Sequence, residues 1–271
     1  MRGGRQISGS ERGPHIPTKL FEEEDMSFPR VILAILVFAT MISVSSAAAA
    51  SCSNTTLKGV FGSLDAGFNG AQPEATLTQF TADGSGHLTN GTAINSLNGS
   101  ITSGTFIGTY SIAKDCTGNY TVTFQGGSTA SGNFFLDNMK KGAETIRTDG
   151  GFTKFGVILA QGAGVCGLTG KKQTFALGLF GAAGGPAAAA GQVVFNGAGM
   201  VSGKATYSLN GTIVSGSLSG TYTENSSCTG GAKITLSGVT TNYDFVVVNS
   251  GKEILLIQAD PGTTVSGTMQ Q

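Results

Sequence analysis

The chain predicts an all-β protein of two tandem antiparallel up-and-down β-barrels; two β-sandwiches are the alternative arrangement. Three observations carry the prediction. Residues 97–118 read LNGSITSGTFIGTYSIAKDCTG and residues 209–230 read LNGTIVSGSLSGTYTENSSCTG, and the two align without a gap. A repeat this long marks two copies of one structural unit. Beyond residue 50, short runs rich in Val, Ile, Thr, Phe and Tyr recur roughly every ten residues between Gly, Asn and Asp, with no helical period. Such a meander must hide its edges, and closure into a barrel hides them completely.

Taken in order, residues 1–25 are polar, aperiodic and rich in Arg and Glu, an extension upstream of an expected true start at Met26. Residues 26–50 have the form of a secretory signal peptide: Arg30, an apolar core, then small residues ending at Ala48 and Ala50. Cleavage is expected after Ala50. The alternative is a retained membrane anchor at residues 31–50, close to the ~20 residues a span needs. The first repeat is expected over 51–161 and the second over 164–271. Strands are predicted in the first copy near 58–67, 75–82, 87–96, 103–112, 120–126, 132–137, 143–148 and 153–160. Asp83-Gly84-Ser85-Gly86 and Asn196-Gly197-Ala198-Gly199 are matching turns; a calcium loop at Asp83 is disfavoured because Asn replaces it in the second copy. Residues 182–190, Gly- and Ala-rich around Pro186, are expected to be a long loop. Tyr243 to Val248 is expected to be a buried strand.

The four cysteines sit at repeat-equivalent places. Cys116 and Cys228 share the CTG motif, and Cys52 and Cys166 each open a copy. Of three possible pairings, repeat symmetry favours Cys52–Cys116 and Cys166–Cys228. That usage fits an exported, oxidising environment: secreted, periplasmic or otherwise extracytoplasmic. A lipoprotein site at Ala49-Ala50-Ser51-Cys52 fits less well, because Cys166 shows that a copy can open with Cys for structural reasons.

Lys and Arg equal Asp and Glu at 16 each, and charged residues are only 12 % of the chain. There is no basic stripe, so nucleic acid is not an expected partner. No metal or cofactor motif occurs, and the sequence carries no GxSxG, HExxH or dinucleotide fingerprint in a fitting context.

The landmarks CTG and GTY, with DFVVVNSGKEILLIQADPGTTVSGT at residues 244–268, resemble a group of secreted tandem-repeat β proteins of soil bacteria. No activity comes with that resemblance. The expected architecture is also similar to that of the calycins, the lipocalin and avidin barrels. It departs from them where Gly59-Val60-Phe61 stands for the lipocalin G-x-W, and in having no Trp at all.

Candidate sites are few. His87 matches Met200 in the second copy, which points to a surface or strand-edge histidine rather than a catalytic one. Glu144, Asp149, Glu253 and Asp260 recur at matching landmarks, so an acidic hydrolytic site on polysaccharide or ester is one reading. Salt bridges and turn capping are the simpler reading of the same four. Phe61, Tyr110, Phe175 and Tyr222 recur as aromatics and are the candidates for lining a barrel that holds a small apolar ligand; buried tyrosines with satisfied hydroxyls are the plainer account of Tyr110 and Tyr222. The expected function is therefore a secreted, non-enzymatic binding or surface-interaction protein, its partner a small apolar ligand or a cell-surface component. A hydrolase and a purely structural surface module are the alternatives.

Overall fold

A computed structural model describes residues 51–137, 142–162 and 166–271. The expected extension and the signal segment, with residues 138–141 and 163–165, lie outside the described residues. The first copy forms β1 (Lys58–Asn69), β2 (Gln72–Asp83), β3 (His87–Leu97), β4 (Ser100–Ile112), β5 (Thr117–Phe124), β6 (Thr129–Leu136), β7 (Gly142–Arg147) and β8 (Phe152–Ala160). The second forms β9 (Gln173–Ala183), β10 (Pro186–Phe195), β11 (Met200–Leu209), β12 (Thr212–Glu224), β13 (Thr229–Leu236), β14 (Val239–Val248), β15 (Glu253–Gln258) and β16 (Thr263–Gln270). Each set pairs antiparallel in sequence order and closes, β1 on β8 and β9 on β16, into an eight-stranded barrel. The sandwich alternative is thereby excluded.

The repeated landmarks are turn chemistry. In LNG, Asn98 and Gly99 (φ 49° and 81°) and Asn210 and Gly211 (φ 50° and 81°) form the β3–β4 and β11–β12 hairpins. Two successive positive φ angles are what a type I′ turn demands, and Asn-Gly meets that demand with least strain. In CTG the cysteine itself is left-handed, at φ 69° for Cys116 and 64° for Cys228. Its N–H donates to Ala113 or Asn225 as the turn closes, and its sulfur is bonded to Cys52 or Cys166.

One expectation is corrected. Residues 182–190 are a hairpin rather than a long loop: β9 runs to Ala183, Gly184 and Gly185 turn, and β10 starts at Pro186. Proline is tolerated at the first residue of a strand. Ala187 and Ala189 face the barrel interior and Ala188 and Ala190 face out, so identical residues on both faces erased the alternation that signals a strand.

The two barrels share a third core. Leu64, Ala75 and Leu77 on the outside of β1 and β2 pack against Val246, Val248, Leu255 and Ile257 on the outside of β14 and β15. Polar bonds frame it: Ser96 Oγ donates to the Thr263 carbonyl (2.6 Å), Gly99 N–H to Thr264 Oγ1 (2.9 Å), and Gly262 N–H to the Gly99 carbonyl (2.9 Å). A Cβ on Gly99 would lie 2.4 Å from the Gly262 Cα, so this turn needs glycine for the docking as well as for its φ.

Candidate functional site

The interiors of the two barrels differ. In the second, Leu168, Phe175, Val193, Phe195, Leu256 and Met269 belong to a continuous apolar cluster that fills the space, with Tyr207 and Tyr243 packed against it. In the first, the strands enclose a cavity of about 490 Å³. Because the barrel is up-and-down, alternate hairpins share an end. Asn69, Leu97, Gln125, Ser128 and Phe152, at the β1–β2, β3–β4, β5–β6 and β7–β8 turns, line the cavity at one end, its mouth. The opposite end is stopped by Leu57, 2 % exposed, over which Tyr110 closes. The Tyr110 hydroxyl donates to the Leu57 carbonyl (2.7 Å) and accepts from Gly84 N–H (3.0 Å).

The cavity has an apolar floor and a polar collar. Phe80, Phe106 and Phe134 belong to the floor, with Phe106 tilted against Phe80 and against Phe124, which stands at the mouth end of β5, at centroid distances of 6.3 and 5.6 Å. Toward the mouth, Lys154 Nζ lies 3.1 Å from Glu74 Oε1 and donates to Thr76 Oγ1 at 2.7 Å. Lys154 and Glu74 are only 3 % and 7 % exposed. With its nitrogen turned inward, the Asn95 amide donates to Glu74 Oε1 (2.9 Å) and Thr76 Oγ1 (2.7 Å). Asp65 accepts from Thr145 Oγ1 (2.7 Å) and Ser63 Oγ (3.1 Å). Arg147 is paired with Asp149 and lies over the Phe152 ring at 4.1 Å. Glu74 Oε2 is buried without a hydrogen-bond partner among the described residues.

Burial holds the Lys154 ammonium below the ordinary lysine pKa, although Glu74 and Asp65 pull the other way. Burial, reinforced by the Asp65 charge, pushes the Tyr120 phenol well up, so that hydroxyl stays protonated against the collar. A buried ion pair of this kind gives little net stability, since desolvating both ions offsets their attraction.

Strand register shows how particular the collar is to one copy. Gly67 lies opposite both Glu74 and Lys154, and its equivalent Gly181 lies opposite Ala187 and Val265. By the same correspondence Asp65 becomes Leu179, Thr76 becomes Ala189, Asn95 becomes Tyr207, Thr145 becomes Leu256 and Tyr120 becomes Ala232. Charged and polar groups around a hollow in the first barrel are aliphatic and aromatic filling in the second.

The residues singled out from sequence fall elsewhere, with one exception. Tyr110 lines the cavity. Phe61 lies in the first barrel's core, stacked on Phe80 at 5.8 Å. Phe175 and Tyr222 both contact Phe195 edge-on inside the filled second barrel, and the Tyr222 hydroxyl donates to the Leu168 carbonyl at 2.8 Å. None of the four acidic candidates lines the cavity. Glu144 points outward from β7. Asp149 binds Arg147 and the Ser131 N–H; burial would raise its pKa, but these partners hold it down. Glu253 accepts from Gln270, and Asp260 from Asn242 and Gln258. His87 is exposed, its Nδ1 2.8 Å from Asp83 Oδ2. Asp83 caps the turn by accepting from Ser85 and His87 N–H, and Asn196 Oδ1 does the same for Ala198 and Met200. The sulfurs join Cys52 to Cys116 and Cys166 to Cys228, with Cα separations of 5.0 and 4.8 Å.

The polar collar is not legible in the sequence alone. A signal existed: inward-facing positions that are polar in one copy and apolar in the other. Reading it requires the strand register, because outside 97–118 the copies align only with gaps.

No protein-family model matches the chain, and no curated protein matches it. Among solved structures it is similar to the isotype 1 transferrin binding protein B from serogroup B Neisseria meningitidis, with a TM-score of 0.34 and 7 % identity, over 72 % of this chain and 64 % of that one. The chain thus spans less than two thirds of that protein.

Proposed function

We propose that the protein is a non-enzymatic, extracytoplasmic binding protein whose first barrel holds a small ligand, while the second is a filled partner that stabilises it. The observation that carries this reading is the contrast between copies: same topology, one interior packed, the other open over about 490 Å³. That volume falls within the usual range of small-molecule sites, roughly 300–1,000 Å³. The mixture of an apolar floor and a few convergent polar groups is also the usual character of such sites. The two disulfides support a location outside the cytoplasm.

Thermal unfolding in the presence of a panel of apolar and amphiphilic small molecules tests the reading. A true ligand at a hundredfold its Kd adds about 2.7 kcal/mol to stability. The variant Asp65→Leu/Thr145→Leu, which imports second-barrel residues into the first, should lose that response. The reading fails if no compound stabilises the protein, or if the filled variant responds as strongly as the parent.

A further inference from the structure

We propose that the joint between the two barrels is repeated between molecules, so that copies of this chain associate head to tail. The outer face of β6–β8 of one copy docks on the outer face of β9–β11 of the next. This is independent of the ligand reading above. In the internal joint the second barrel contributes β14–β16 and the first contributes β1–β3. Strand register gives each set an equivalent in the other barrel: β14–β16 correspond to β6–β8, and β1–β3 to β9–β11. One molecule therefore carries both halves of the joint a second time, and both stand open among the described residues.

The apolar centre of the joint is kept at the open faces. Ile257, fully buried under the first barrel, and Ile146, 49 % exposed, occupy the same place in the two copies. Around Ile146, Phe135 replaces Val246 and Phe155 replaces Ser266, and both phenylalanines are exposed. On the opposite face Ala188 repeats Ala75, while Gly178 and Ala190 replace Leu64 and Leu77. A Cβ on Gly178 would meet nothing within 4 Å. Larger side chains on one face are thus matched by smaller ones on the other. Phe180, in the place of Ala66, adds a further exposed ring. Solvent-facing apolar clusters of this kind mark interaction sites.

The polar frame is kept as well. Inside the molecule it is Ser96 and Gly99 on one side and Gly262, Thr263 and Thr264 on the other. The equivalents are Ser208 and Gly211 on the second barrel, and Gly151, Phe152 and Thr153 on the first. The Thr263 contribution is a backbone carbonyl, so Phe152 supplies it equally. Ser96 is fully buried by the joint, whereas Thr153 and Gly211 are exposed.

The two open faces also differ in charge. Glu144 and Asp137 stand where the internal joint has Leu255 and Val248. The other face brings Lys204, opposite Gln192 at the edge of the Ala188–Ala190 surface, and Lys172 just ahead of β9. Opposite signs steer the faces together and fix their register. On the first barrel β7 and β2, the centres of the open and the occupied faces, lie three strands apart round a ring of eight, so a neighbouring copy and the second barrel take different sides. A contact between two different faces is heterologous, and it propagates into a ring or an open filament.

Sedimentation velocity of the disulfide-bonded protein, from micromolar to millimolar concentration, tests the proposal. The mean mass should rise with concentration in single-chain steps. Ile146→Asp disables one face and Ala188→Asp the other, because each puts an unpaired carboxylate into the joint, and either variant alone should stay monomeric. Mixed, the two retain one intact face each and should form a dimer that grows no further. Both side chains are exposed on the outside of a strand, so both variants should keep the parent's unfolding midpoint. Phe155→Ala/Phe180→Ala, which adds no charge, is the second test and should weaken self-association at least about tenfold. A parent that stays monomeric throughout, association that survives either aspartate variant, a mixture that stays monomeric, or an unchanged affinity in the phenylalanine variant would overturn the proposal.

Discussion

Val247 and Val248 are neighbours in the chain and lie in different hydrophobic cores: Val247 inside the second barrel, Val248 between the two barrels. The second half of β14, from Phe245 to Val248, and β15 are buried on both faces, and this is why FVVV and ILLI read as unbroken apolar runs where other strands alternate. Leu255, fully buried in the inter-barrel core, is the residue to test. Leu255→Ala should destabilise the protein by about 2–5 kcal/mol in urea unfolding, whereas Val239→Ala, on an exposed side chain of the same sheet, should stay within about 0.5 kcal/mol of the parent.

The two GTY tyrosines should not be equivalent. Tyr222 donates one bond, to Leu168. Tyr110 both donates to Leu57 and accepts from Gly84. Loss of a buried hydroxyl leaves its partners unsatisfied at about 1–3 kcal/mol each. Tyr110→Phe should therefore cost more than Tyr222→Phe, as chemical denaturation of the two variants will show.

The Glu74–Lys154 pair should behave asymmetrically. Lys154→Met alone strands a buried carboxylate and should cost about 3–5 kcal/mol. Glu74→Met/Lys154→Met, at positions where the second barrel carries Ala187 and Val265, should be close to neutral or stabilising. A double-mutant cycle on unfolding free energies measures the difference.

Asp83 predicts a feature of the acid limb. The backbone N–H groups of His87 and Ser85, with the His87 ring, bring its pKa from 3.8 down to about 2. A carboxylate depressed on folding contributes stability above its unfolded pKa and loses it as pH falls through the folded value. The contribution should thus disappear between about pH 4 and 2. Asp83→Asn, which reproduces the capping seen at Asn196 without the charge, should flatten the stability profile in that window relative to the parent.

The strands and hairpins were legible because their signals are local. Asn-Gly states its own φ angles, and the CTG cysteines could be paired by symmetry alone. The collar was not legible because a barrel strand puts Thr, Asn and Asp on either face with equal ease. In β2, Glu74, Thr76 and Thr78 point inward while Ala75 and Leu77 point outward to the other barrel, the reverse of the usual rule that polar residues face water. The residues chosen instead, Phe61, Tyr110, Phe175 and Tyr222, were those both copies keep. What both copies keep turned out to be packing; the hollow is what they do not share.

In the second barrel, Leu179, Leu256 and Val265 are permanent parts of the domain's interior. In the first, the corresponding volume is open, so a guest bound there, as proposed above, would act as a removable piece of the hydrophobic core. Occupancy then adjusts more than whether a molecule is carried. On the binding reading proposed above, it would set how long the first barrel resists opening, and with it how long the protein survives proteolysis, so its lifetime would follow the abundance of its ligand.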